Sequence, residues 1–339
     1  MKIKLLLLFA VLCLTSVGIA VFFLSQKRAT KTTPLVAKKQ LYVIGIISPG
    51  GAYSEAIDGL KDGLAHFGYA EGSNLKYIVK DMVGKSDRAP AMINELLNEN
   101  PDVIYSLSTP VTTSVKEIVG DRVPVVFNIV GDPIGAGFVE NFSAPGGNIT
   151  GCSNLSAELS GKRLEIFKRA FPSIKKVVTF YDPSNKFSEV SIKNTRRAAE
   201  ILEITLVEKI VKNATELDAA LNSMKAGDYD GIYNTPDAMV VSNINAVIEK
   251  AEDLSIPLMG HEETLVRRGA TLSYGASFYQ LGHQCATLID DVLGGADPGV
   301  VPICTPEKIE TVVNLKSLGA DVSQSISPEI IKSADKIIQ

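Results

Sequence analysis

The chain has no tryptophan, three histidines and four cysteines in 339 residues. The cysteines stand at 13, 152, 285 and 304 without a Cys-x-x-Cys pair. That spacing excludes a zinc site built on such pairs and a dense disulfide framework. Buried free thiols are the expectation for Cys152, Cys285 and Cys304, with one disulfide among them as the alternative. Charge is sparse as well: Lys, Arg, Asp and Glu make up 21% of the chain, below the roughly 25% of soluble domains. Net charge is -4. No basic stripe and no basic run interleaved with aromatics appears, so nucleic acid is not an expected partner. There is no Gly-x-Ser-x-Gly elbow, no spaced triad and no cluster of metal ligands. No catalytic residue, metal or cofactor is therefore expected. The loop Ser48-Pro49-Gly50-Gly51 also lacks the lysine and spacing of a P-loop.

Apolar residues are plentiful, at 45%. Met1-Lys2-Ile3-Lys4 precedes an uncharged run from Leu5 to Leu24, and Lys27, Arg28 and Lys31 follow it. Such a run at about 1.5 Å rise per residue matches the roughly 30 Å of a bilayer core. It exceeds the apolar stretch of an ordinary signal peptide. Residues 1–28 read as an N-terminal hydrophobic helix, an uncleaved anchor or a signal peptide, and 29–40 as a polar tether. The positive start stays inside, which puts the rest in the periplasm or an equivalent extracytoplasmic space.

From Leu41 onward a short apolar strand, a Ser/Thr/Gly/Pro/Asp-rich loop and an amphipathic helix recur. Examples are Tyr42–Ile47 before Ser48-Pro49-Gly50-Gly51, and Gly231-Ile232-Tyr233 before Asn234-Thr235-Pro236-Asp237. Alternating strands and helices predict α/β architecture with doubly wound parallel sheets. A breaker stretch from Asp132 to Gly151, containing Pro145-Gly146-Gly147-Asn148, splits the repeats into two lobes. Further strands near Thr271–Tyr274 and Thr311–Leu315 predict that the chain recrosses, leaving a hinge of several strands. The expected lobes are 41–150 with 271–300, and 151–270 with 301–339.

Open parallel sheets bind ligands beyond the carboxyl ends of their strands, so the candidates are on those loops. Thr109 reads as a helix N-cap with Pro110 at the first helical position. Ser108 and Thr109 then offer a helix N-terminus suited to a carboxylate, or simple capping. Asp237 offers a charge-assisted bond to an ammonium, or a helix cap. Ser48, Gly50 and Gly51 let backbone approach a ligand, or form a tight turn. Asp132 and Asn185 occupy equivalent loops, and Tyr274 ends a strand facing the cleft. Asp182 before Pro183 reads as a turn former. Phe187, Phe278 and Tyr279 supply cleft walls or lobe packing. Neighbours in His261-Glu262-Glu263 point to opposite faces of an extended segment, so surface or capping roles are expected there and for His66 and His283.

Several motifs occur in a familiar order: Gly68-Tyr69-Ala70-Glu71-Gly72-Ser73-Asn74, Ser108-Thr109-Pro110, Asp132-Pro133-Ile134-Gly135-Ala136-Gly137, Pro145–Gly151, Tyr181-Asp182-Pro183-Ser184-Asn185, Pro236-Asp237, Gly269–Tyr274 and Val313-Asn314-Leu315-Lys316. Through them, residues 41–339 resemble the solute-binding proteins of ABC transporters with the type I periplasmic-binding fold. Within these they resemble the family with tryptophan- and phenylalanine-binding members. The resemblance implies capture of a small solute, an amino acid or related zwitterion, by hinge closure, and docking on ABC permease subunits. A membrane-tethered sensor reporting to a membrane partner is the alternative. Two positions depart from the pattern: Lys186-Phe187 separates Asn185 from Ser188, and Ala238 stands where the family often has Asn.

Overall fold

The computed structural model describes residues 41–82, 88–317 and 326–338. The apolar run at 5–24 lies outside them, and among the described residues no helix is long and apolar enough to cross a membrane. Two sheets organise the chain. The first has the order β2-β1-β3-β4-β5, from β1 (Tyr42–Ser48), β2 (Leu75–Asp81), β3 (Val103–Leu107), β4 (Val125–Val130) and β5 (Ile149–Ser153). All its pairings are parallel. The second has the order β12-β11-β10-β9-β8-β6-β7. Its strands are β6 (Lys176–Tyr181), β7 (Thr205–Ile210), β8 (Gly231–Tyr233), β9 (Leu258–Gly260), β10 (Leu272–Ala276), β11 (Ile309–Asn314) and β12 (Lys336–Ile338). Only β10 and β11 pair antiparallel.

Helices cover both faces of each sheet, which is why the central strands read as continuous apolar runs. In β1, Ile44 and Ile46 join one core and Ile47 the other. The first lobe carries α1 (Ser54–His66), α2 (Ala89–Asn98) and α3 (Thr109–Val119). The second carries α4 (Ser160–Ala170), α5 (Lys186–Ile201), α6 (Ala214–Asn222), α7 (Ala238–Ser242), α8 (Ile244–Asp253) and α9 (Glu263–Arg268). After β10 the chain returns to the first lobe as α10 (Phe278–Leu293), then goes back to β11, α11 (Pro328–Ser333) and β12. Helix α10 packs along α1 at unusually short range. A Cβ on Gly59 would lie 2.0 Å from the Tyr279 carbonyl oxygen, and one on Gly282 2.1 Å from that of Ala56. Glycine lets these two backbones touch.

Three crossings join the sheets, each a few residues later than the expected points at 150/151, 270/271 and 300/301. Gly151 is inside β5 of the first sheet, and β10 belongs to the second. The third returning segment still runs beside β5 at Cys304. At the first two the reason is the same: the glycine-bearing breaks at Gly146-Gly147 and Gly269 precede the last strand before the crossing, β5 and β10, instead of following it. That side-by-side placement also corrects the expectation of free thiols. Cys152 and Cys304, adjacent on parallel segments with Cα atoms 4.4 Å apart, form a disulfide, and only Cys285 stays free among the described residues. One helix start shifts as well: Ser108, not Thr109, is the N-cap residue of α3. Asn213 caps α6 by accepting from the Glu216 N–H at 3.0 Å.

Candidate functional site

The carboxyl ends of the strands in the two sheets meet. The Phe187 ring, at the start of α5, lies on Gly131 beyond β4. Arg267 on α9 reaches Glu55 on α1 at 3.1 Å. Tyr53 and Phe278 stack with ring centroids 5.3 Å apart beside this junction.

On the first lobe the loops have an unusual backbone. Ser48 Oγ accepts from the Gly50 N–H at 2.9 Å, and Gly50 and Gly51 take φ of 82° and 60°. Ser108 has φ 79° and ψ 155°, a conformation proper to glycine and costing of order 1–3 kcal/mol for other residues. No side chain caps α3. Its first N–H groups, with Pro110 contributing none, therefore point beyond the strand ends without an intrahelical acceptor. Ile129 (φ 57°) bulges β4 next to Asn128, whose Nδ2 donates to the Tyr105 hydroxyl at 2.6 Å. Asp132 accepts from the Gly135 N–H at 2.7 Å.

On the second lobe, Asp237 is 1% exposed and all its partners are internal. Oδ1 accepts from the N–H groups of Met239 and Val240 at 3.0 and 3.1 Å. Oδ2 accepts from Ser188 Oγ at 2.6 Å and the Asp182 N–H at 3.1 Å. The carboxylate thus caps α7 and ties two loops together. Asn185 caps α5 through the Phe187 N–H at 3.1 Å. Asp182 closes its own turn through Ser184, as read. Tyr274 is half-buried, and its carbonyl accepts from Arg163 Nε at 3.0 Å.

Sequence reasoning passed over the groups with unused bonding capacity. Buried Asn234 Oδ1 and Glu262 Oε2 have no hydrogen-bond partner. Asn234 Nδ2 lies 3.0 Å from His261 Nδ1. Burial, reinforced by Arg163, pushes His261 down to about 3, so the imidazole is neutral and accepts this bond. Burial raises the Glu262 carboxyl to about 7, with Glu55 and Glu263 adding to the rise. Burial, and after it the Glu262 charge, hold the Tyr53 hydroxyl above its usual range. The available signal was position: Glu262 follows Gly260 at a strand end. Period-two reasoning failed because β9 stops at Gly260 and the segment turns into α9. His66 and His283, for which surface or capping roles are expected, stack edge to face with ring centroids 5.4 Å apart on α1 and α10.

A hollow lined by Lys116, Phe138, Glu140, Gly146 and Asn148 lies at the amino ends of β4 and β5, the opposite edge of the sheet. Lys116 there already donates to the carbonyls of Gly137 and Phe138. The strand carboxyl ends are the better-equipped site. They offer free N–H groups on one lobe, an unpartnered carboxylate oxygen on the other, and the Phe187, Tyr53 and Phe278 rings where the lobes meet. This set can bind and orient a solute; it contains no nucleophile activated by a base.

The chain is similar to a tyrosine-binding protein of Clostridioides difficile, at 29% identity over 78% of this chain and 76% of that one. Among solved structures, a conserved domain protein from Vibrio cholerae is similar at 28% identity, with a TM-score of 0.78, covering 88% of this chain and all of that one. An ABC domain from Streptococcus pneumonia in complex with L-Trp shares the fold at 23% identity, TM-score 0.77, with the same coverage. The sequence profile described as "ABC transporter substrate binding protein" matches residues 40–338. That match takes in both sheets and every loop at their carboxyl ends, and the chain therefore belongs to the ABC transporter substrate-binding protein family.

Proposed function

We propose that the two lobes close on a free amino acid with an aromatic side chain and present it to the permease subunits of an ABC transporter. The observation that carries this reading is the pairing of an uncapped α3 N-terminus on one lobe with the unpartnered Glu262 oxygen on the other. The helix end suits an α-carboxylate, and Glu262 suits an α-ammonium. Ser108, Thr109, Ser48 and Gly51 are assigned to the carboxylate side. Glu262 and Asn234 take the ammonium, and Asp237, Asn185 and Asp132 hold the loops. Tyr53, Phe187 and Tyr274 supply apolar surface for the side chain. The tyrosine-binding relative supports the same solute class.

The Cys152–Cys304 bond supports an oxidising, extracytoplasmic location. The run Leu5–Leu24 supports export, with a retained anchor if it is not cleaved.

Thermal unfolding with L-tyrosine, L-tryptophan, L-phenylalanine and L-leucine tests the reading. A ligand at 100 times its Kd adds about 2.7 kcal/mol. Stabilisation by the aromatic amino acids that Glu262→Gln abolishes is expected. No stabilisation by any of the three, or binding indifferent to that substitution, would refute it.

A further inference from the structure

Three of the four cysteines converge at the hinge. Cys152 is in β5, Cys304 lies beside it on the third crossing segment, and Cys285 projects from α10. The three sulfurs lie within 4.8 Å of one another. Cys285 is fully buried, with its Sγ 2.6 Å from Cys152 Sγ and 3.7 Å from the Phe127 carbonyl. A contact of 2.6 Å is closer to the about 2.05 Å of a disulfide bond than to the separation of non-bonded sulfurs. Cys285 therefore does more than fill the core.

We propose that Cys152, Cys285 and Cys304 form a disulfide-exchange site, in which Cys152 bonds alternately to Cys304 and to Cys285. In the exchange, Cys285 Sγ loses its proton and attacks Cys152 Sγ. The Cys152–Cys304 bond breaks with its electron pair on Cys304 Sγ, which takes up a proton. The count of thiols and disulfides is unchanged, so no oxidant or reductant is consumed. Burial pushes the Cys285 thiol well up, and the Tyr105 hydroxyl, which accepts from Asn128 Nδ2 at 2.6 Å, offsets part of that rise by donating to the thiolate as it forms.

The two bonds differ in what they tie. Cys152–Cys304 links β5 to the segment leading to β11, and so joins two of the three crossings. Cys152–Cys285 would lie wholly within the first lobe and leave that segment held by hydrogen bonds without a covalent tie. Beside Cys304 these are the Cys304 N–H to the Gly151 carbonyl and the Ser153 N–H to the Cys304 carbonyl, both 2.9 Å, with the Ile303 N–H to the Phe142 carbonyl and Thr150 Oγ1 to the Val301 carbonyl, both 2.8 Å, just before it. Cys304, only partly buried, would become the exposed thiol, whereas Cys285 is sealed in. The site therefore converts a concealed thiol into a reachable one while releasing one strand of the hinge.

The test uses the full chain produced in an oxidising compartment and equilibrated in a mixed oxidised and reduced glutathione buffer. Acid quenching, alkylation in denaturant and mass-spectrometric mapping identify the linked peptides. Both the Cys152–Cys304 and the Cys152–Cys285 peptides are expected, with the label on whichever of Cys285 and Cys304 is free. Cys304→Ser should fold and form Cys152–Cys285, and Cys285→Ser should show Cys152–Cys304 alone. Wild-type protein holding only Cys152–Cys304 after equilibration, or folded Cys304→Ser keeping two free thiols, would overturn the proposal. If Cys304→Ser fails to fold, the wild-type map decides.

Discussion

The Phe187 ring rests on the bare Cα of Gly131, so that a Cβ at position 131 would lie 2.2 Å from Phe187 Cε2. Gly131 belongs to the loop after β4 of the first sheet and Phe187 to α5 of the second lobe, so this contact reports how closely the lobes approach. Overpacking of this kind costs about 1–3 kcal/mol, and here it falls on closure rather than on either core. Gly131→Val is expected to weaken solute binding about ten- to hundredfold in calorimetry while shifting the midpoint of unfolding of the solute-free protein little. Phe187→Leu in the same chain, which withdraws the ring from position 131 but keeps apolar surface for the solute, should restore part of the loss. An equal loss of solute-free stability in Gly131→Val would place the contact in a lobe core instead.

Helix α1 carries a second glycine test with the opposite sign from the usual one. Gly to Ala inside a helix ordinarily gains about 1 kcal/mol from backbone entropy. At Gly59 the added Cβ would meet the Tyr279 carbonyl oxygen at 2.0 Å, a backbone atom that cannot swing aside. Gly59→Ala should therefore destabilise by about 1–3 kcal/mol in urea unfolding. Gly72, at φ 81° with nothing within 4 Å, supplies a control in which strain comes from the backbone alone.

Glu262 and His261 make opposing contributions to stability against pH. The folded Glu262 carboxyl is raised from 4.5 to about 7, so the folded state holds the extra proton between these values and stability falls as pH rises through the window. The folded His261 imidazole is lowered from 6.5 to about 3, so the unfolded state holds the extra proton and stability rises with pH through that window. Between about 4.5 and 6.5 the two slopes oppose. Glu262→Gln removes one of them. Its unfolding free energy should climb more steeply than that of the wild type from pH 5 to 6.5, and exceed it at pH 8 by about 3 kcal/mol. Parallel curves for the two proteins would show that Glu262 is not buried as a charge.

The parallel sheets, the loops at their ends and the return of α10 were legible because they rest on local pattern: apolar runs of strand length, Gly and Pro punctuation, and helical periodicity. What stayed hidden depends on distant partners. Cys152 and Cys304 are 152 residues apart, and only the parallel pairing of their segments brings them together. Asp237 looked like a ligand for an ammonium because its sequence neighbours do not disclose that Ser188 and Asp182 saturate it from another loop. Lys186-Phe187 moves Ser188 along α5, where it reaches Asp237 while Phe187 covers Gly131. Glu262 was missed for the converse reason: its neighbours look polar, yet the fold leaves one of its oxygens without a donor.

Ser108 combines strain and position in one residue. Its φ of 79° and ψ of 155° cost a serine of order 1–3 kcal/mol, and its side chain does not cap α3. Glycine adopts the same conformation freely but loses about 0.5–1 kcal/mol more backbone entropy on folding. Ser108→Gly should therefore stabilise the solute-free protein by about 1 kcal/mol in urea unfolding. If the hydroxyl stands beside the α-carboxylate of the bound amino acid, the same substitution should weaken binding by about 0.5–1.5 kcal/mol, one neutral hydrogen bond. Stability rising while affinity falls would mark Ser108 as a position held in strain for the solute. A loss of stability would show that the surrounding structure, through the Ser108 N–H bond to the Asn128 carbonyl at 3.0 Å, does not impose that strain.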